Sequence, residues 1–471
     1  MESAKALDGE HFRDQLSNVN KTGKRLWIFP KKPKGFYTNA RTYVSWILMG
    51  LLFAGPFIKI NGHPIMLFNL LERKFIVLGL PFMPQDFMLF ALAMLSGIVL
   101  VVLFTAVFGR VFCGWVCPQT IFMEMLFRKI EYWIDGDWTQ QKKLAASPWT
   151  NDKIRKRALK HSLFFILAFW ISNTFLAYII GWDELSLMIK DGPAAHLGSF
   201  IALLVFAGVF YFVFAFFREL VCIYVCPYGR LQGVMLDKNS VVVAYDYLRG
   251  EPRGKLKKGT DTSHLGDCID CKLCVNVCPT GIDIRNGTQL ECVNCTACID
   301  ACDEVMESIN KPKGLIRYDS MQAISEGKKW KMTKRAYFYS AILVVLLSTL
   351  TYFLATRRTL EATVLRTVGT LFQEQEGGKY SNMFNVEFVN KSFNTKTITL
   401  KILEPAQAEL KVIGNPEFVA EAGEVVKGTL MVIIPGENIK TNNQTIILEA
   451  LTSDNIKQQL RANFVGPVKK K

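Results

Sequence analysis

Five stretches of the chain are continuously apolar over about the 20 residues a helix needs to cross a bilayer: Thr42–Ile58, Met88–Gly109, Ser162–Gly181, Leu197–Phe217 and Tyr337–Thr356. Each is expected to be a transmembrane helix. The segment 63–83 is also apolar, but it carries Glu72, Arg73 and Lys74 together. Charges at mid-bilayer cost a few kcal/mol each, so this segment is expected at the membrane interface. Lys and Arg alternate along the connecting segments: nine in 1–41, three in 59–87, ten in 110–161, only Lys190 in 182–196 and eighteen in 218–335. By the positive-inside rule the basic segments face the cytoplasm and the region after the fifth span faces outward. Fifteen Lys and Arg follow that span, but a long folded domain crosses largely regardless of charge.

Two further patterns stand apart from the spans. Between Ile121 and Ile134, Phe122, Leu126, Ile130 and Trp133 recur near the helical period, as in an amphipathic helix lying on a membrane surface. After Arg358, apolar and polar residues alternate. Phe384, Val386 and Phe388 share one face, as do Ile398, Leu400 and Ile402; further strands are expected at Ala408–Val412, Val425–Ile434 and Gln444–Leu451. Gly414-Asn415-Pro416 and Pro435-Gly436 mark turns. Short alternating runs at this spacing predict an all-β sandwich of roughly 100 residues. It contains no Cys and no His, which fits a surface for protein contact rather than a catalytic domain.

Composition sharpens this picture. A chain of 471 residues is long enough for about three domains. Half of it is hydrophobic, with 34 Phe, and the net charge is +15. That charge is explained by membrane topology, and no nucleic-acid role is needed for it. Residues 1–41 show no apolar core or cleavage site of a signal peptide. All 12 cysteines fall in four tight motifs, a usage that points to metal ligation in a reducing compartment.

The main motif runs from Cys268 to Cys302. It reads C-I-D-C-K-L-C-V-N-V-C-P, twelve residues of connection, then C-V-N-C-T-A-C-I-D-A-C. Each half is C-x2-C-x2-C-x3-C, the spacing in which three cysteines bind one 4Fe–4S cluster and the fourth binds a neighbouring cluster. Cys268, Cys271, Cys274 and Cys302 are therefore assigned to one cluster, and Cys292, Cys295, Cys298 and Cys278 to the other. Pro279 follows the first run, whereas Asp303 follows the second. Zinc also uses C-x2-C pairs, but its sites take four ligands in two separated pairs and do not need this duplication.

The second constellation is a repeat. G-R-V-F-C-G-W-V-C-P-Q, with Cys113 and Cys117, follows the second span, and R-E-L-V-C-I-Y-V-C-P-Y-G-R, with Cys222 and Cys226, follows the fourth. Helical residues four apart share a face, so each pair is expected to present two sulfurs together, with Pro118 or Pro227 ending the helix. Two thiolates suit soft Cu(I); four, if the repeats pack together, suit zinc or an iron–sulfur centre. Buried packing is the plainer reading of a lone cysteine, but not of the same pair and proline twice. Met123, Met125 and Met235 follow the motifs and are expected to pack rather than ligate. Arg110 and Arg218 are expected to anchor span ends at lipid headgroups. His63 is a weak candidate for a quinol or metal site.

Five spans, the twin C-x3-C-P motifs, the double ferredoxin run and an outer β-domain together resemble the FixG/RdxA/CcoG family of cbb3-type cytochrome c oxidase accessory proteins. The resemblance covers nearly the whole chain. It implies a membrane α-helical bundle of five transmembrane helices with a cytoplasmic dicluster ferredoxin insert and a C-terminal all-β Ig-like sandwich. The expected domains are a cytoplasmic segment 1–41, a four-helix membrane domain 42–240, a 2×4Fe–4S domain 241–335, a fifth helix 336–357 and a periplasmic domain 358–471. The resemblance also implies a bacterial inner-membrane protein that reduces Cu(II) to Cu(I) for oxidase maturation. Copper would be its substrate or bound ligand, at Cys113, Cys117, Cys222 and Cys226. Implied partners are membrane lipid, a copper transporter or chaperone, oxidase assembly factors and a cytoplasmic electron donor that the sequence does not name; a homodimer is compatible with the pattern. Two readings compete: a quinol-linked electron-transfer subunit with the same motifs, and a non-enzymatic copper-carrying scaffold.

Overall fold

The computed structural model describes residues 25–60, 62–70, 74–83, 86–255, 264–367, 369, 371–439 and 441–467. Residues 1–24 of the expected N-terminal segment, and Glu72 and Arg73 of the expected interfacial segment, lie outside the described residues. By its contacts the chain divides into two units. One comprises residues up to Phe57 with Leu92–Ser348; the other comprises Ile58–Ala91 with Thr349–Lys471.

All five apolar stretches are helical: α1 (Phe36–Ala54), α2 (Phe87–Phe108), α4 (Asn151–Ile180), α5 (Leu197–Phe212, continued by a π-helical turn Val213–Phe217) and α8 (Lys334–Ala355). The short helix α3 (Val111–Trp115) follows α2. Among the described residues, the four helices at 87–108, 151–180, 197–217 and 334–355 are long and apolar enough to cross a membrane. The fifth, α1, begins six residues before the predicted start because its first turns are polar and pack on protein. Arg41 there is 5% exposed, and its Nε donates to the Gly114 carbonyl at 2.7 Å. Similarly, α4 begins well ahead of its apolar run, in a basic stretch capped by Thr150, whose side chain accepts from the Lys153 N–H.

The first turns of residues 121–134 do not lie on a surface as the periodicity predicted, although Trp133 at the far end is 75% exposed. Phe122, Met123, Met125 and Phe127 are 0–6% exposed and pack with α1, α4 and α5; Phe127 stacks on Phe214 at 4.6 Å and meets Phe164 edge-on at 4.9 Å. A π-helical turn over Phe122–Phe127 adds a residue to the local turn and helps aim these side chains inward. The period was legible; the partner covering Phe122, Leu126 and Ile130 is protein.

The insert follows α5 and the helix α6 (Pro227–Met235). Strands Val242–Tyr245 and Ile316–Asp319 pair antiparallel and enclose two cysteine-bearing helices, Leu273–Asn276 and α7 (Ala297–Ser308). Its core includes Val243, Ile282, Ile284, Ile299 and Met306. Val241 donates to the Val107 carbonyl, which joins the start of the insert to the end of α2.

In the second unit the predicted interfacial segment is an antiparallel meander of β1 (Met66–Asn69), β2 (Lys74–Val77) and β3 (Leu80–Phe82). The C-terminal region is a sandwich of β4 (Leu360–Arg366), β5 (Gln373–Gln375), β6 (Lys379–Asn390), β7 (Lys396–Glu404), β8 (Glu409–Ile413), β9 (Glu417–Ala420), β10 (Val425–Pro435), β11 (Asn443–Thr452) and β12 (Lys457–Val465). One sheet runs β8-β10-β6-β4, with β5 on β6; the other runs β9-β7-β11-β12. Phe384, Val386 and Phe388 of β6 and Ile398 of β7 are at most 1% exposed, facing Leu430, Val432 and Phe464. Within this unit Asp86 is buried between Lys391 (2.6 Å) and Arg357. Burial alone would raise its carboxyl, but the Lys391 hydrogen bond, the Met83 N–H and the Arg357 charge hold it below the usual range.

Candidate metal centres

The eight insert cysteines line two adjoining cavities. One is lined by Cys268, Cys271, Cys274 and Cys302 with Tyr245 and Arg285. The other is lined by Cys278, Cys292, Cys295 and Cys298 with Val243 and Thr280. Cys274 touches both. Short helices and αL residues aim the thiols: Asp270, Lys272, Asn294 and Thr296, each just before or after a cysteine, all have φ between 50° and 66°. Burial pushes the Cys274, Cys292 and Cys302 thiols up to about 12 and Cys295 to about 11, with neighbouring cysteines adding to the shift at each. Four soft donors around an apolar cavity fit thiolate-held iron–sulfur ligation. Binding must displace the protons that burial keeps on these thiols.

The two C-x3-C-P motifs fold alike. The N–H of the second cysteine donates to the residue before the first, Cys117 to Phe112 (2.9 Å) and Cys226 to Val221 (2.8 Å). Each motif is thus a wide turn closed over five residues rather than an α-helical face. Both second cysteines then leave the helical region (ψ 123° and 111°), and Pro118 and Pro227 each open a new helix. The proline is at a helix start, where its missing N–H costs nothing, and not simply at an end. The two turns come together. Gln232 of α6 is fully buried and bonds the Cys113 thiol through its side-chain amide (3.4–3.5 Å). Burial pushes the Cys113 thiol up and Cys222 up to about 12, and each feels the charge of cysteines in the other motif. Among the described residues no three His, Cys, Asp or Glu side chains converge on the position of a single ion; this holds for the quartet as well as for the insert.

One junction connects quartet and insert. Gly114, between Cys113 and Cys117, lies on the backbone of the insert loop, where an added Cβ would sit 2.5 Å from the Val293 carbonyl and 2.8 Å from that of Asn294. Arg110 donates to the carbonyls of Leu290 and Gly229, with Cys292 O at 3.5 Å. Trp115 donates to the Tyr318 hydroxyl (3.0 Å), which donates to Asn294 O (3.1 Å). The cavity holding Cys292 and Cys295 is therefore the one next to the quartet.

Three domain families match the chain: a 4Fe–4S binding domain at 90–140, a 4Fe–4S dicluster domain at 217–321 and the Ig-like fold at the C-terminus of FixG at 350–467. Protein RdxB of Cereibacter sphaeroides is 34% identical over 84% of this chain and 86% of its own length. Nitrogen fixation protein FixG of Rhizobium meliloti is 32% identical over 83% and 82%. The chain belongs to the FixG/RdxA family. A more distant likeness, 20% over 52% of the chain, is to the ferredoxin-type protein NapH of Escherichia coli, of which it covers 77%. This FixG/RdxA family member is a multi-pass bacterial membrane protein that carries iron–sulfur clusters and transfers electrons.

Other expected residues of this FixG/RdxA protein fall differently. Arg110 and Arg218 are not headgroup anchors: they are 5% and 1% exposed. Arg218 pairs with Glu131 and lies 4.9 Å from the Trp27 ring. Met123 and Met125 pack in the membrane-unit core, as expected. His63 stacks on Phe393 at 3.8 Å in the second unit. Sequence reasoning missed Gln232, Gly114 and Asp300. Asp300 lies between Cys298 and Cys302, and its carboxylate accepts the N–H groups of Tyr37 and Thr38 at the start of α1. A Gly between paired cysteines was a weak signal; the other two gave none.

Proposed function

We propose that this protein transfers single electrons from a cytoplasmic carrier to Cu(II) bound at Cys113, Cys117, Cys222 and Cys226, and releases Cu(I) for assembly of a cbb3-type cytochrome c oxidase. The observation that carries this reading is the packing of the first C-x3-C-P turn on the Cys292–Cys295 loop. Cys268, Cys271, Cys274 and Cys302 would hold one 4Fe–4S cluster, and Cys278, Cys292, Cys295 and Cys298 the other. Bound there, such clusters supply one-electron chemistry at potentials set by their hydrogen bonds, charge and exposure. Copper is the substrate. Soft thiolates favour Cu(I) over Cu(II), so the quartet's donor set favours the reduced product. Gln232 orients Cys113, and the Arg110 charge opposes the effect of burial on that thiol. Each turnover consumes one electron and one Cu(II). Protons displaced from the thiols leave to water, and Cu(I) passes to a transporter or chaperone.

The test is anaerobic mixing of Cu(II) with the reduced, cluster-replete protein, beside a Cys113→Ala/Cys222→Ala variant. Cu(I) appearing in a chelating dye as wild-type clusters reoxidise, with the variant inert and its clusters intact, supports the reading. The likeness to NapH favours a second reading, a quinol-linked electron-transfer subunit. Clusters that ignore copper but exchange electrons with a quinone would establish that one instead. Copper binding with no effect of cluster oxidation state would leave only a carrying scaffold.

A further inference from the structure

The β2–β3 turn carries an anomaly. Val77 pairs with Leu80, leaving the two-residue turn Leu78-Gly79. Both have positive φ, 53° and 75°, the pattern of a type I′ turn. Asn or Gly is the usual first residue of such a turn, because a branched side chain is disfavoured in this left-handed region. Here it is a leucine, and it is 71% exposed. Leu80, which opens β3 directly after the turn, is 46% exposed. An apolar residue held in a disfavoured conformation, with its side chain open to its surroundings, gains nothing for the fold.

Its position says what covers it. Arg357, two residues past the end of α8, donates to the Pro81 carbonyl of β3, lies 5.0 Å from the Phe82 ring and pairs with Asp86. Asp86 immediately precedes α2. The meander is thus fastened where two apolar, membrane-length helices end, and Phe87 and Met88, which open α2 there, are 71% and 69% exposed. We propose that Leu78, with Leu80, forms a lipid-binding tip that enters the acyl–headgroup boundary beside α2 and α8. Apolar side chains at that depth gain from burial in proportion to area. The tip would hold the β-unit against the bilayer surface.

The experiment places p-benzoylphenylalanine at position 78 of the full chain in lipid nanodiscs and, as a control, at Ile413, which is 51% exposed on β8. After illumination, adducts are identified by mass. Lipid adducts at 78, at least several-fold more abundant than at 413, are expected. A second site, Leu80, guards against a local folding fault at 78. Adducts of 78 and 80 to protein in native membranes, or to lipid no more often than at 413, would overturn the proposal. In addition Leu78→Asn should leave folding intact, since it suits the turn better, while releasing the tip, read as faster amide exchange over 66–82 in nanodiscs. No change in that exchange would likewise overturn it.

Discussion

At the scale of single residues, two positions carry effects that their side chains alone would not announce. Gly114 is a close backbone approach between the cysteine quartet and the insert. A methyl group there meets two carbonyl oxygens of the opposing loop, and backbone cannot move aside cheaply. Gly114→Ala should therefore push the quartet away while leaving both cluster cavities intact. Displacements of this order slow reactions that depend on positioning by about tenfold or more. Stopped-flow reoxidation by Cu(II) should slow accordingly, with the cluster absorbance unchanged; a variant that reoxidises at the wild-type rate would remove Gly114 from the electron path. Asp86 acts on stability. Asp86→Asn removes the buried charge beside Lys391, 3% exposed, and leaves the exposed Glu361 as its carboxylate partner among the described residues. Breaking a buried pair in this way costs about 3 kcal/mol. The carboxyl is held below its usual range, so its stabilising contribution is full above about pH 4 and is lost as pH falls through the lowered folded value. Amide exchange of β6 measured against pH should show an acid limb in wild type and a shallower one in the variant.

At the scale of elements, what the sequence made legible depended on whether an element's partner was written beside it. Cysteine spacing is local, and both cavities hold the cysteine sets that the spacing assigned. Alternation is local, and the Phe384, Val386 and Phe388 face is buried as read. Of the strands not foreseen, β9 has four residues and β12 interleaves Leu460, Ala462 and Phe464 with Gln, Arg and Asn, which mutes its signal. The first turns of 121–134 and the arginines at 110 and 218 were misplaced because their partners are far along the chain: Phe164, Phe214, Leu290 and Glu131. The start of α1 belongs to the same class. Its cap comes from Asp300, whose carboxylate accepts from Tyr37 N (3.0 Å), Thr38 N (2.7 Å) and Thr38 Oγ1 (2.6 Å). Removing an N-cap typically costs about 1–2 kcal/mol. Asp300→Ala should therefore fray the first turn of α1, seen as faster exchange of the 37–41 amides. Asp300→Asn, which keeps one acceptor oxygen, should do so less. Equal exchange in all three proteins would mean that the first turn is held by Arg41 and Gly114 instead.

At the scale of the whole molecule, the identity of the cap bears on topology. The start of α1 is bonded to the insert, through Asp300, and to the first C-x3-C-P turn, through Arg41. Its end leads within four residues into Ile58, which belongs with the C-terminal β-unit. In the same way α8 leaves the insert and enters that unit at its other end. If α8 crosses the membrane, α1 has to make the same journey. With 19 residues at about 1.5 Å each, it is close to the roughly 30 Å thickness of the apolar layer. Arg41 need not enter that layer, since it lies in the second turn of the helix with its charge on a protein carbonyl. α1 is not among the four helices with a membrane-length apolar stretch, but its polar residues sit at the end that binds the insert. Five crossings put the N-terminus and the insert on one side and the β-unit on the other; four would put both termini together. Fluorescent-protein and alkaline-phosphatase fusions at each terminus decide between them. The expected result is a fluorescent N-terminal fusion, a dark C-terminal one and phosphatase activity only at the C-terminus. Fluorescence at both ends would show that α1 does not cross, and the links from Asp300 and Arg41 to its first turns would then have to be abandoned with it.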